Sequence, residues 1–341
     1  MSTSPRVSIG IPTFNRPRLL HEALQSVLLQ TCQDFEVVVA DDGSTPETRQ
    51  VVQGFGDPRI RYHRNATNIG VQRNWNQCVR LSRGEYFTLL PDDDVYLPPF
   101  LETMCALLSE KPEAAFAQCA FYGVDAALRP IGVGRPSSRP VELRGADGVV
   151  WQLMSLACNP VALMFRREVM LGMGLWREDY WDDWAFVVRL AHRHGFAYTP
   201  ALLAANRAHA ENLSQRLERA GRDGILDWIN QLADVFGSVL QGSPELLSLR
   251  ARLDRRLGRK CVFAALRALV RGDVRAVRLE LRRATRLSAI AVVDPLLLVD
   301  VFRGLSSRLK RRSARAVSGE PVLALKKMDR LDAMPNASRF E

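Results

Sequence analysis

Five histidines and six scattered cysteines, with no CxxC pair, leave this 341-residue chain without the spacing of a structural zinc site or a disulfide framework. Cys32, Cys78, Cys105, Cys119, Cys158 and Cys261 instead suit a reducing compartment. No G-x-G-x-x-G follows the first apolar stretch, and no G-x-x-x-x-G-K-[ST] occurs anywhere. Dinucleotide and P-loop sites therefore lack their glycine cradles. The longest late apolar run, Leu287 to Phe302, is broken by Asp294, Pro295 and Asp300, which makes it a poor bilayer span. Met1 to Arg6 carries no apolar leader core, so the expected location is cytoplasmic.

Charge of one sign is scarce over the first two thirds. Residues 1–215 carry 21 Lys and Arg against 23 Asp and Glu, while residues 216–341 carry 26 against 14. The formal net charge of +10 is thus a property of the C-terminal third. At 47% hydrophobic, the chain can bury one large core or two modest ones. The division expected is 1–215, 216–312 and a flexible tail, 313–341.

The N-terminal region alternates strand and helix signals. Val7–Ile11 is a β-branched strand closed by Pro12, and Leu19, Leu20, Ala23, Leu24, Val27 and Leu28 recur at helical spacing over about residues 17–30. Phe35–Ala40 is nearly all apolar, as in a strand buried on both faces. Asp41-Asp42-Gly43-Ser44-Thr45 then leads into a short helix. A third strand over 60–63, a helix after Gly70 and the strand Tyr86–Leu90 continue the rhythm. This order predicts βαβ units and a mainly parallel sheet flanked by helices. Ligands of such sheets bind beyond the carboxyl ends of the strands. Thr13, Asp41, Asp42 and Asp92–Asp94 all follow predicted strand ends, so three separated polar clusters converge on one edge. Arg73 is a candidate phosphate contact there. Further on, a strand over 114–120, a hairpin region at 123–134, a mobile loop over 132–148 and an edge strand over 159–165 are expected.

Two acidic clusters carry the candidate chemistry. Asp92-Asp93-Asp94 repel one another at a strand end, which a hard divalent cation such as Mg²⁺ or Mn²⁺ would relieve. Asp92 and Asp94 bracket one residue and can point the same way from an extended segment. A solvated acidic turn capping the next helix is the plainer alternative. The second cluster, Glu178-Asp179-Tyr180-Trp181-Asp182-Asp183-Trp184, precedes an apolar helical run. Capping explains one aspartate but leaves its neighbour over. Trp181 and Trp184 suit either a stacking face for a sugar ring or core packing.

The ordered set Val7–Arg16 with Pro12-Thr13-Phe14-Asn15, Gln30-Thr31 with Asp34-Phe35-Glu36-Val37, Asp41–Thr45, Asn68-x-Gly70 with Arg73-Asn74, Gly84-Glu85-Tyr86, and Asp92–Asp94 with Pro98 resembles the family 2 glycosyltransferases of the GT-A fold, over about residues 5–215. The resemblance implies an inverting, metal-dependent transfer from a nucleotide-diphosphate sugar, UDP or dTDP preferred. The acceptor would be a glycan or a lipid-linked glycan of the cell envelope. It places Pro12, Thr13, Asn15, Asp41 and Asp42 around base and ribose, and makes the triple aspartate the DxD element. Asp92 and Asp94 would hold Mn²⁺ or Mg²⁺, and Asp92, Asp93 and Arg73 would lie near the diphosphate. Where the family pattern often has a further acid, this chain has Pro91. The pair Asp182-Asp183 matches the family's catalytic acids, the base coming from the second, Asp183. The stretch Asn206-Arg207-Ala208-His209 resembles the family's Arg-x-His element, with His209 toward the metal and Arg207 toward the diphosphate.

Residues 216–312 read as helices at about 222–240, 244–269, 273–288 and 295–310, with arginines such as Arg250, Arg252, Arg255, Arg256 and Arg259 opposite the apolar faces. Two readings stay open: a solvated bundle packed on the first domain, or a basic surface for anionic lipid on the inner face of a membrane. The alternatives to an active transferase are a catalytically silent membrane- or nucleic-acid-binding protein, and a metal-dependent nucleotidyltransferase. The latter would be expected to keep a basic glycine-rich loop after strand 1. No nucleic-acid motif accompanies the charge.

Overall fold

The computed structural model describes residues 4–155, 158–178 and 182–209, and between 252 and 287 residues 252, 254–255, 258–259, 261–262, 265–266, 268–269 and 272–287. The first three stretches lie in one compact unit and the last group in a second. The expected boundaries at 215 and 312, the tail and the helices at 222–240 and 295–310 lie outside the described residues.

The first unit runs β1 (Val7–Thr13), α1 (Pro17–Leu28), β2 (Phe35–Asp41), α2 (Pro46–Gly54), β3 (Ile60–Arg64), α3 (Val71–Leu81), β4 (Tyr86–Leu89), β5 (Val95–Tyr96) and α4 (Phe100–Glu110). Then follow β6 (Phe116–Val124), β7 (Pro130–Gly134), β8 (Val141–Leu143), α5 (Gly145–Ser155) and a 3-10 turn (Pro160–Ala162). The unit closes with β9 (Leu163–Arg166), α6 (Arg167–Gly172), α7 (Asp182–Arg193) and β10 (Phe196–Arg207). All join one sheet in the order β3-β2-β1-β4-β9-β6-β10-β5, with β7 on β6 and β8 on β10.

The parallel register expected from the sequence holds for β3-β2-β1-β4. Beyond β4 the sheet is mixed, because β9 inserts antiparallel to both β4 and β6. The segment expected as an edge strand is therefore interior, and Leu163, Met164 and Phe165 are all buried. Nor is 132–148 a bare loop. It supplies most of β7, all of β8 and the start of α5, and Tyr198 Oη donates to Ser137 O at 3.0 Å. Glycine does not prevent the pairing: Gly134 sits where any Cβ would fall 2.3 Å from the Phe121 ring.

The helices form for local reasons. Pro17 and Pro46 open α1 and α2 at first-turn positions, where a missing N–H costs nothing. The faces of α1 that carry Leu20, Ala23, Leu24 and Val27 are fully buried against the sheet. On the other face α3 comes so close to β1 that a Cβ on Gly10 would stand 2.6 Å from Cys78 Cβ, so glycine is needed there. The second unit contains α8 (Val274–Leu287), as expected near 273–288, and a small cluster of Cys261, Val262 and Ala284. Among the described residues, no helix is long and apolar enough to cross a membrane.

Candidate active site

Because β2, β1 and β4 are parallel neighbours, their carboxyl ends bring Thr13, Asp41 and the triple aspartate to one edge. Asn15 adopts φ +54°, a left-handed conformation that asparagine tolerates well. Its Oδ1 accepts from Thr45 N at 2.9 Å, and its own N–H donates to Ser44 Oγ at 2.9 Å, clasping the loops after β1 and β2 together. Asp41 is buried; its Oδ1 accepts from Ser44 N at 2.8 Å and its Oδ2 from the Tyr62 hydroxyl. Burial, then this bond to a carboxylate, pushes the Tyr62 phenol up. Asp42 accepts from Asn65 Nδ2 (3.0 Å), Ile69 N (2.8 Å) and Gly70 N (3.0 Å), so it shapes the loop into α3. The two acids expected around a nucleotide are thus also the clamps of the loops that would form its pocket.

The triple aspartate is held by neighbours from β1, β10 and the segments that follow them. Asp92 accepts from Thr13 Oγ1 at 2.8 Å and from Arg16 Nη1 at 3.1 Å. Asp93 Oδ2 lies 3.0 Å from the same Arg16 nitrogen and 2.9 Å from His209 Nε2. Asp94 Oδ1 accepts from Arg207 N at 2.7 Å, and Asn206 Nδ2 reaches both of its oxygens at 3.2 Å. Burial, then the charge of Asp93, pushes the Asp92 carboxyl up to about 6. The same two causes carry Asp94 well above the ordinary carboxylate range. Burial works in that direction on Asp93 too, but the His209 bond and the Arg16 charge together hold it below the usual value. The cluster is short of positive charge, which is the condition a divalent cation relieves.

Among the described residues no three His, Cys, Asp or Glu side chains form a ready cage for an ion. Mg²⁺ and its relatives commonly take one or two carboxylates and complete their shell with water and substrate phosphate. The oxygen donors of Asp92 and Asp94 fit that kind of site. Beside them is a cavity of about 340 Å³ lined by Asn15, Arg16, Arg18, Ala126, Arg207 and His209.

The second cluster separates its two aspartates. Asp182 is buried at the start of α7, bridged to Arg189 by two bonds of 2.9 Å and accepting from Arg177 N at 2.5 Å. Expected to share in the chemistry, it is instead committed to anchoring the helix. Asp183 is half-buried, and its carboxyl is raised to about 6 by burial first and by the Asp182 charge, against the backbone bond from Trp184. Its charge reaches Cys158, whose thiol is pushed up by burial and then by Asp183. Cys158 precedes the turn that enters β9 at Leu163, and the Thr88 hydroxyl donates to Leu163 O at 2.7 Å near the carboxyl end of β4. The Asp183 charge thus acts on the segment that enters β9 beside the carboxyl end of β4. Asn76 and Trp176 exchange bonds of 2.7 and 3.2 Å, tying the segment before α7 to α3.

Other expected contacts fall elsewhere. Trp184 is buried with Nε1–H on Gln152 O at 3.2 Å, so it packs α7 on α5 rather than offering a face to a sugar. Trp181 lies outside the described residues. Arg207, expected on a diphosphate, is 1% exposed and paired with Glu22 at 2.5 Å; it acts on the edge through its backbone N–H to Asp94 and through its charge, which works against the rise of the Asp94 carboxyl. Arg73 is exposed and paired with Glu178 at 2.6 Å. His209 Nε2 meets Asp93 Oδ2 at 2.9 Å. Sequence reasoning missed Arg16 and Asn206 as site residues. Both stand inside motifs already singled out, but neither residue type announces a carboxylate partner some 76 or 112 positions away.

Residues 8–169 match the family description "Glycosyl transferase family 2". The GalNAc(5)-diNAcBac-PP-undecaprenol beta-1,3-glucosyltransferase of Campylobacter jejuni is 36% identical over 118 residues, which is 34% of this chain and 38% of that protein. The chain thus spans well under half the length of this relative. S. aureus TarS 1-349 in complex with UDP-GlcNAc superposes with a TM-score of 0.53 at 16% identity, over 82% of this chain and 92% of that one. The mannosyltransferase PcManGT of Pyrobaculum calidifontis, in complex with GDP-Man and Mn²⁺, gives 0.53 at 16% identity, over 98% and 89%. At those identities the two structures speak for the fold.

Proposed function

We propose a function that starts from a family: this chain carries, over residues 8–169, a glycosyltransferase domain of family 2. The enzyme transfers a sugar from a nucleotide-diphosphate donor to a hydroxyl of a glycan or lipid-linked acceptor, with inversion at the sugar carbon. The observation that carries the reading is the contrast between Asp182 and Asp183. One is spent on Arg189, while the other keeps a half-buried carboxyl raised to about 6. A base of that strength is ionised at neutral pH and can accept a hydroxyl proton. Asp183 takes the acceptor proton as the acceptor oxygen bonds to the anomeric carbon and the bond to the diphosphate oxygen breaks.

The loops clasped by Asn15, Asp41 and Asp42 form the wall for base and ribose, with Pro12 and Thr13 at its floor and exposed Arg73 at its rim. Asp92 and Asp94 would hold Mn²⁺ or Mg²⁺, with His209 behind them through Asp93. Such an ion, when bound, supplies charge neutralisation of the departing diphosphate. Arg16 holds Asp92 and Asp93 in place, and Asn206 with the Arg207 N–H orients Asp94. TarS and PcManGT, in the complexes named above, take a uridine and a guanosine donor respectively, and UDP or dTDP is preferred here on the family resemblance. The Campylobacter relative's name is that of an enzyme acting on an undecaprenol-linked acceptor, which favours a similar lipid-linked acceptor, reached from the inner face of the membrane.

Calorimetric titration with UDP, GDP, dTDP and CMP, with and without Mn²⁺, tests the donor site on wild type and Asp94→Ala. Metal-dependent binding of one nucleotide, lost in the variant, is expected. A folded wild type that binds none of the four would overturn the reading.

A further inference from the structure

The strand β7 has two different faces. Its register on β6 pairs Phe121 with Gly134, Tyr122 with Val133, Gly123 with Gly132 and Val124 with Pro130. Gly132 and Gly134 fall on one face, where the Phe121 ring closes over Gly134. Ile131 and Val133 fall on the other and are 50% and 54% exposed, among the most exposed large aliphatics of the first unit. The register shifts between Gly123 and Val124, which leaves Ile131 as an extra residue on β7, and Arg129 and Arg135, both exposed, flank the strand at its two ends. Arg129, Ile131, Val133 and Arg135 are thus all exposed within one short stretch, with Tyr122 half-buried across the ladder from Val133.

Charge around this face is one-sided. Residues 126–141 contain Arg129, Arg135 and Arg139 and no acid. The flanking acids are both paired: Asp125 with Arg129 at 2.7 Å, which leaves that arginine side chain 78% exposed, and Glu142 with Lys111 at 2.7 Å. Ala126, in the hairpin's own turn, lines the basic cavity with Arg16, Arg18 and His209. Branched aliphatics flanked by arginines, rising from the site edge, are what a peripheral protein lays into the headgroup layer of an anionic bilayer.

We propose that the β6–β7 hairpin is a membrane-docking element, seating Ile131 and Val133 at the headgroup boundary of an anionic bilayer with Arg129 and Arg135 on lipid phosphates. It gives a lipid-linked acceptor a short route to the triple-aspartate edge, and it locates a membrane contact in the catalytic domain rather than in the basic C-terminal helices. Its sense in the cell rests on the acceptor reading above, but its physics does not.

The test is co-sedimentation of the full chain with vesicles of phosphatidylcholine alone and of phosphatidylcholine mixed with phosphatidylglycerol. The vesicles carry no acceptor, so failure here and failure of the nucleotide titration are separate results. Wild type should bind the anionic vesicles and release with salt. Each arginine near the surface is worth about fivefold in partition. Arg129→Gln with Arg135→Gln, and separately Ile131→Ser with Val133→Ser, should each lower binding by about tenfold or more. Nucleotide binding and thermal midpoint should stay at wild-type values, which shows the variants fold. Wild-type partition in both double variants, or no wild-type binding to anionic vesicles, overturns the proposal. So does a loss of transfer to a water-soluble acceptor with vesicle binding intact, which would make the hairpin an acceptor platform.

Discussion

Replacing Asp183 with asparagine should stabilise the protein while it removes the proposed base. A carboxyl whose ordinary value is 3.8 and whose folded value is about 6 is penalised in its ionised form by up to about 3 kcal/mol. The folded value lies above the unfolded one, so below about pH 4 both states are protonated and the group contributes nothing. As pH rises from about 4 to 6 the unfolded chain ionises first, and stability falls. Above 6 the whole penalty is present. Asp183→Asn carries no charge to bury, so its thermal midpoint at pH 7.5 should exceed wild type. At about 2–4 °C per kcal/mol for a domain of this size, the gain is several degrees. The difference should vanish near pH 4. Turnover should drop by roughly 10²–10⁴-fold, and the wild-type rate should show an acid limb near 6. Differential scanning calorimetry across pH, with initial rates on the same samples, measures both. A variant no more stable than wild type at pH 7.5 would refute the buried-charge reasoning, and one retaining most of its turnover would remove Asp183 as the base.

The neighbouring substitution should do the reverse. Asp182→Asn breaks a buried bidentate pair and strands Arg189, at a cost of about 3–5 kcal/mol; urea unfolding should show that loss, and wild-type stability would mean the pair does not anchor α7. Arg16→Ala leaves Asp92 and Asp93 facing each other without their shared guanidinium. In metal-free buffer it should lower stability by about 1–3 kcal/mol, and added Mn²⁺ should restore more stability to this variant than to wild type. Equal responses to Mn²⁺ would show that Arg16 and the ion do not answer the same charge.

The expectations that survived are those local physics decides. The run Phe35–Ala40, apolar except for Glu36, had to be a strand covered on both faces, and it is buried throughout. Pro17 and Pro46 had to start helices rather than interrupt them. Alternating strands and helices then leave few topologies, so Thr13, Asp41 and Asp92–Asp94 could be placed at one edge without coordinates. The interior position of Leu163–Phe165 was hidden because a strand's two neighbours lie far off in sequence. The order in 132–148 was hidden because glycine and proline mark loops as well as the tight hairpin seen there.

Among the site residues the same line divides residue type from assignment. Which residues bear carboxylates, and that two of them stand side by side at the head of α7, is written in the chain. Which of the two is spent on pairing is not, because it depends on Arg189 two turns along the same face of α7 and on the Arg177 backbone in the segment before it. Likewise Trp184 and Arg207 have side chains suited to a sugar and a phosphate, and only packing on Gln152 and Glu22 withdrew them. Residue identity determined what chemistry the edge could hold. The desolvation and pairing that select one member of each like set are sums over distant neighbours, and those exist only once the sheet has closed.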